Sequence, residues 1–380
     1  MSGGLSAVDL FLYTRIEVAE DASGRGVLVA VSSAIPKTMK AAYLVGTRQM
    51  EVREVPVPEP SPDDALIRVE AVGVCGSDVH YYEHGRIGRY VVDGPLILGH
   101  EASGIVVAVG ANVKHLRPGQ RVAIEPGVTC GRCEACKSGR YNLCPHVRFL
   151  ATPPVDGAFA QYIAHRADFV HPIPDDMSYE QAAMVEPFSV ALHAIRRSGM
   201  RPGDRVAIAG MGPVGLFTVV AARRLGAGDV MVSDTVERRL QLALQLGATE
   251  AVHAKRGAIA DAVRERFPEG VDVAIETAGH PDAVASLLPA LRRGGRLAVV
   301  GLSQSPLKEL DLTQLTDGEI EIAGVFRYAN TYPAGIQLMR EIDVWDLITD
   351  TFPLAEVADA LERARTNKSE SIKVVVYPQA

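Results

Sequence analysis

The chain has 380 residues, 47% apolar and 22% charged, which is ordinary for a soluble globular protein and long enough for two domains that each bury a core. Its formal net charge of −7 argues against a nucleic-acid or anionic-membrane partner. No apolar run reaches membrane-spanning length, since the longest, residues 206–222, is interrupted by Gly210, Gly212, Pro213 and Gly215.

Residues 1–38 read differently from the rest. They contain the polar, glycine-bearing stretch 20–26 and show no sustained helical period. They also lack a basic segment followed by an apolar block and a small-residue cleavage site, so no signal peptide is expected. A loosely ordered extension is expected here, or a start codon placed too far upstream.

A regular strand-like pattern begins at Met39, in MKAAYLVG. From there to residue 188, short β-like runs such as 65–72, 105–109 and 121–124 alternate with Gly and Pro, and Pro118-Gly119 marks the turn between the last two. This text predicts a compact, mostly antiparallel β domain. Within it, Cys130, Cys133, Cys136 and Cys144 fall inside fifteen residues, in CGRCEACKSGRYNLC. The spacing C-x2-C-x2-C-x7-C lets one loop offer four thiolates as a tetrahedron, the arrangement of a closed structural zinc site. The clustering suits a reducing compartment, hence the cytoplasm, better than a disulfide framework.

The fifth cysteine, Cys75, lies in VGVCGSDVH; His100 and Glu101 lie in LGHEASG, and Glu186 in MVEPFSVALHA. A catalytic zinc takes about three protein ligands and keeps one position open. Cys75, His100 and either Glu101 or Glu186 could supply them. Singly, a buried Cys is usually a small hydrophobe and a His-Glu pair a polar surface feature. A nucleotide-binding signal in the same chain shifts the balance toward a metal.

That signal follows from residue 189 onward, where strands alternate with helices. Strands are predicted at 206–209, 230–233, 271–276 and 296–300; helices at 214–225, 237–246 and 283–291, the first two ended by Gly226 and Gly247. Repeated βα units imply a doubly wound parallel sheet over 189–324. Gly210-Met211-Gly212-Pro213-Val214-Gly215 fits G-x-G-x-x-G between a strand and a helix, and Asp234 follows Gly215 by 19 residues. A carboxylate there binds ribose hydroxyls and repels a 2′-phosphate, so NAD is favoured over NADP. Arg239 could bind such a phosphate or merely flank the adenine ribose. Residues 325–380 end in a strand-like run at 372–377 that could rejoin the first domain.

Over residues 39–377 the chain resembles the zinc-dependent medium-chain dehydrogenases, and within them the sorbitol/xylitol (polyol) branch. The pattern G-H-E-x2-G-x5-G runs from Gly99 through Gly104 to Gly110, and the strings CGSDVHYYEHGRIG, RFLATPPVDG, EPFSVALHA and GVFRYANTYP are closer still to the polyol branch. The resemblance implies a GroES-like, mostly antiparallel β catalytic domain joined to a Rossmann domain, with 325–380 completing the first. It implies Cys75, His100 and Glu101 as ligands of a catalytic zinc, with Glu186 holding the metal's water and able to exchange onto it. Glu186, Ser77 and His80 fall at catalytic positions. Tyr81, Phe149, Glu186, Arg327 and Tyr328 fall at substrate positions. Gly210, Gly212, Val214, Gly215, Asp234, Arg239, Val300, Gly301, Leu302, Val325 and Phe326 fall where the family contacts NAD. One catalytic and one structural zinc per subunit are implied, and a homotetramer is expected.

The expected reaction is oxidation of a secondary hydroxyl of a polyol such as sorbitol or xylitol to the ketose, with hydride transfer to NAD. Metal binding and the Glu186-linked water help remove the hydroxyl proton, and His80 could relay it to solvent or be an ordinary surface histidine. Two other readings stand: a zinc dehydrogenase for L-threonine, a butanediol or a sugar acid, whose carboxylate Arg327 could bind; and a non-catalytic NAD-binding scaffold.

Overall fold

The computed structural model describes residues 13–20, 26–33, 35–303 and 305–380. Its first body is built on a sheet in which Val170–Pro172, Arg121–Ile124, Glu101–Val109, Asp64–Gly73, Lys373–Tyr377 and Ile348–Pro353 lie side by side, with Tyr162–Arg166 also paired to Asp64–Gly73. All pairs are antiparallel except the last two strands of that order. Asp64–Gly73 and Glu101–Val109 are buried along most of their length, as their dense Val, Ile and Ala content requires of central strands. A second sheet of three strands, Gln49–Pro56, Thr38–Gly46 and Leu96–Ile97, packs beside it.

The second body is a six-stranded parallel sheet in the order Glu250–His253, Val230–Asp234, Val206–Ala209, Val271–Glu276, Leu291–Val299, Glu321–Gly324. Chain order reverses direction next to Val206–Ala209, and ligands of such sheets bind at that switch point, beyond the carboxyl ends of the strands. The long helix Tyr179–Ser198 joins the two bodies. It starts at Ser178, whose hydroxyl accepts from the Gln181 amide in a capping box, and stops at Gly199 with φ 70°. Its buried residues belong to one core with Ala71 and Val375 of the first sheet and Ile208 and Ile275 of the second. The change of rhythm near residue 188 is therefore a change of sheet within one continuous helix.

Two expectations need correction. The helix expected at 283–291 is Pro281–Leu287, followed by a 3-10 turn Leu288–Ala290, because Pro289 has no N–H to continue the α-helical ladder. The strand expected at 296–300 is longer, Leu291–Val299, and passes through Gly294-Gly295 beside an irregularity in its pairing with Val271–Glu276. Within residues 1–38 the described residues form two strands ahead of the first body, Tyr13–Glu20 and Gly26–Ser33, paired antiparallel with each other and with no other described strand. The alternation of Arg15 and Glu17 with Ile16 and Val18 is a period-2 signal that a search for helical period passes over.

Candidate active site

The C-terminal strand positions the site. Lys373–Tyr377 pairs with the end of Asp64–Gly73, Val375 opposite Gly73, two residues before Cys75. Cys75 then caps the helix Gly76–His84, and its amide donates to Asp78 Oδ2 at 2.9 Å. The other carboxylate oxygen, Oδ1, accepts from the Gly99 amide at 2.9 Å and lies 3.7 Å from His100 Nδ1. Asp78 thus ties the cysteine segment to the histidine segment from a fully buried position. Burial works against a charge on His100, but Asp78 and Cys75 hold its pKa well above the ordinary histidine range.

Glu101 begins the next strand, and Lys373 Nζ lies against its Oε2 as an ion pair with both side chains buried. The same ammonium donates to the Val74 carbonyl at 3.1 Å. Ligand atoms of Cys75, His100 and Glu101 come within 4.8 Å of one another. Glu186 is outside that group but faces it from the long helix, where the Tyr328 hydroxyl donates to its Oε1 at 2.8 Å. Burial pushes the Glu186 carboxyl up to about 7; the charge of Glu101 adds to the shift, while His100, the Tyr328 hydroxyl and Lys373 oppose it.

Cys75, His100, Glu101, Glu186 and Lys373 line a cleft of about 540 Å³ between the two bodies. Ser77, His80, Tyr81, Phe149 and Arg327 line it with the cluster, and Gly212, Val214, Val300, Gly301, Leu302, Val325 and Phe326 line the side toward the parallel sheet. The Arg327 guanidinium lies 3.7 Å from the Phe149 ring centroid, and its Nη1 is buried with no hydrogen-bond partner. Burial holds the Tyr81 hydroxyl up at about 12 although Thr152 hydrogen-bonds it. His80 has its pKa lowered, first by burial and then by His84 and Lys368, against the pull of Glu83.

Gly210, Gly215, Asp234, Arg239 and Tyr328 are not among the residues lining the cleft. Gly210 adopts φ 93°, and a Cβ on Gly215 would lie 1.8 Å from the Gly210 carbonyl oxygen. Nothing lies within 4 Å of a Cβ on Gly212, which caps the helix Pro213–Arg224, so the helix N-terminus opens onto the cleft. Asp234 Oδ2 accepts from the Met211 amide at 2.6 Å and Oδ1 from the Val236 amide at 2.8 Å. Burial lowers the Arg239 pKa and the Asp234 charge opposes it; Nε of this arginine is buried without a partner.

Apart from the cleft, the four clustered cysteines are free thiols whose Sγ atoms approach within 3.4 Å (Cys133–Cys136), 3.6 Å (Cys144–Cys130) and 4.0 Å (Cys130–Cys136). A tetrahedron of Zn–S bonds near 2.3 Å places its sulfurs about 3.8 Å apart, so the donor set fits that ion. In the cleft, a thiolate, an imidazole and a carboxylate on a buried wall fit a zinc site with an open side.

Asp78, Lys373 and Thr152 are site residues that sequence reasoning missed. Asp78 at the third helical position after Cys75 carries a capping signal. For Lys373 there is none, because a lysine in a strand reads as a solvent-facing charge.

A GroES-type β body, a six-stranded parallel sheet and a thiolate-imidazole-carboxylate cluster in the cleft between them define a metal-using, dinucleotide-dependent oxidoreductase. Residues 61–175 match the family of the alcohol dehydrogenase GroES-like domain, and 213–341 the zinc-binding dehydrogenase family. The chain is 52% identical over 347 residues to the sorbitol dehydrogenase of Bacillus subtilis, spanning 90% of this chain and 98% of that protein. Among solved structures, L-idonate 5-dehydrogenase from Escherichia coli superposes with a TM-score of 0.84 at 29% identity, covering 90% of this chain and 98% of that one. 2R,3R-butanediol dehydrogenase from Bacillus subtilis does so with a TM-score of 0.82 at 31% identity, covering 90% and 99%. The chain belongs to the zinc-binding dehydrogenases of the alcohol dehydrogenase type, the family that includes this sorbitol dehydrogenase.

Proposed function

We propose that the protein oxidises a polyol such as sorbitol or xylitol to the corresponding ketose, with NAD as hydride acceptor. The carrying observation is one cleft lined by the Cys75–His100–Glu101 cluster, by Glu186 and Arg327, and by the glycine-rich helix start at Gly212. In this reading Cys75, His100 and Glu101 hold the catalytic zinc, and Cys130, Cys133, Cys136 and Cys144 the structural one. Bound in the cleft, zinc supplies Lewis acidity toward an oxygen substituent, and NAD accepts the hydride.

The chain's own groups do the rest. Glu186, with a carboxyl near neutrality, accepts the hydroxyl proton through Oε2 while Tyr328 holds Oε1. Ser77, Tyr81 and the unpartnered Arg327 Nη1 offer hydrogen bonds to further hydroxyls of an extended substrate, and the Arg327–Phe149 stack orients that donor. His80 passes the proton outward. Gly210, Gly212 and Gly215 let the main chain approach the pyrophosphate, Val214 packs beside it, Asp234 receives the ribose hydroxyls beside Arg239, and Val300, Gly301, Leu302, Val325 and Phe326 flank the nicotinamide. The relatives named sorbitol dehydrogenase support the substrate class.

The same reading divides the chain into 39–188 with 325–380 as the catalytic body and 189–324 as the NAD body, in a cytoplasmic homotetramer with a small-molecule partner. Among the described residues no helix is long and apolar enough to cross a membrane. A second reading, a sugar acid, is favoured by the unpartnered Arg327 Nη1 alone. NADH formation with a panel of polyols, simple alcohols, threonine and sugar acids separates the two: turnover restricted to an acid refutes the polyol. Glu186→Ala should lower turnover about a hundredfold or more while NADH binding persists, and full turnover in that variant removes Glu186 from the mechanism.

A further inference from the structure

The stretch between the third and fourth clustered cysteines, residues 137–143, touches the segment that carries Arg327 and Tyr328. Asn142 Nδ2 donates to the Phe326 carbonyl at 2.8 Å. The Asn330 amide donates to the Tyr141 hydroxyl oxygen at 2.8 Å, and Asn330 Nδ2 donates to the Gly139 carbonyl at 2.7 Å. Tyr141 in turn donates its proton to Glu125 Oε1 at 2.7 Å, so its ring cannot swing away without breaking two bonds.

The segment so held is also bound by Arg196, whose Nη1 donates to the Asn330 carbonyl at 2.8 Å. Arg327 and Asn330 have φ of 52° and 57°, the left-handed region that side-chain-bearing residues rarely adopt. The bonds fall on the carbonyl immediately before Arg327 and on both the main chain and the side chain of Asn330. Between them lie the guanidinium stacked on Phe149 and the hydroxyl that holds Glu186. Both ends of the 137–143 stretch, Cys136 and Cys144, belong to the four-thiol cluster. An ion held by that cluster would fix the latch at both of its ends.

We infer that the cysteine-cluster loop is a positioning element of the substrate pocket, in which Asn142 and Tyr141 set the backbone of residues 326–330 and through it the placement of Arg327 and Tyr328. The inference rests on the polyol reading of the cleft. It makes the second metal site more than a stabiliser of its own loop, because the conformation of the substrate side chains then depends on it.

The test uses full-length, zinc-loaded Asn142→Ala and the milder Tyr141→Phe. Each removes one hydrogen bond to residues 326–330 and should raise the polyol KM roughly tenfold, about 1.4 kcal/mol; Tyr141→Phe, whose lost bond falls on Asn330 and not on the nicotinamide-flanking Phe326, should leave the NADH dissociation constant within about twofold of the parent. Zinc content measured by mass spectrometry should be unchanged, which separates loss of the latch from loss of the ion. Polyol KM unchanged in a folded Tyr141→Phe protein, even with a lowered melting temperature, overturns the inference. So does an equal weakening of polyol and NADH in Tyr141→Phe, which would mean general loosening. A parent protein that oxidises no polyol defeats the underlying reading instead, and that result is visible before either variant is made.

Discussion

Replacing Lys373 by Met removes the cationic half of an ion pair in which lysine and Glu101 side chains are 2% and 1% exposed. Breaking such a pair from one side leaves an uncompensated buried charge and costs about 3–5 kcal/mol. Here the Val74 carbonyl also loses its 3.1 Å donor, and Glu186 adds a second carboxyl nearby, so a loss of at least about 3 kcal/mol is expected in zinc-free protein. If Glu101 is a metal ligand, a bound dication takes over much of the compensation, and the loss in zinc-loaded protein should shrink to about 1 kcal/mol. The four states form a closed cycle, so the difference of about 2 kcal/mol must reappear as zinc binding roughly 30-fold tighter in the variant. Denaturant unfolding of stripped and loaded protein gives the two stabilities, and chelator competition gives the affinity. An equal loss in both states, or zinc held more weakly by Lys373→Met, would refute the reasoning that the lysine and the metal compete for Glu101.

Gly215→Ala places a Cβ where the Gly210 carbonyl oxygen lies 1.8 Å away, which the backbone relieves only by reshaping the loop. NADH affinity measured by fluorescence should fall about tenfold or more, ~1.4 kcal/mol, with zinc content intact; unchanged affinity would mean the loop does not hold the cofactor. Cys130→Ala should lose about one equivalent of zinc per subunit and melt earlier, since a structural zinc contributes folding energy; unchanged metal and melting temperature would contradict the four-thiolate site. Burial lowers the His165 pKa to about 4, against an ordinary 6.5. The unfolded chain therefore takes up a proton on this residue between pH 6.5 and 4 that the folded protein refuses, and stability falls as pH drops through that window. His165→Gln should remove about 1.5 kcal/mol of the stability difference between pH 6.5 and 5, read from urea midpoints; an unaltered pH slope would show that other groups carry it.

How much of this was legible in the sequence depends on how far apart the interacting residues lie along the chain. The four cysteines, the glycine-rich turn and the alternation of strand and helix from residue 206 are local patterns. Each is governed by the reach of a short loop or by the periodicity of one element, so spacing alone predicts the strands Val206–Ala209 and Val271–Glu276 with their observed limits. Where a local reading failed, at 283–291, the cause was also local: Pro289 breaks an apolar run that otherwise reads as helix.

The tertiary structure decided the rest. Asn142 and Phe326 are 184 residues apart and Lys373 and Val74 are 299 apart; their meeting depends on the register of Lys373–Tyr377 against Asp64–Gly73 and on the path of the long helix. No periodicity marks Lys373 as the buried counterion of Glu101, or an asparagine in a cysteine loop as the hydrogen-bond partner of the carbonyl before Arg327. Those roles arise only when packing removes the groups from water and leaves each with a single partner able to satisfy its charge or its hydrogen bond.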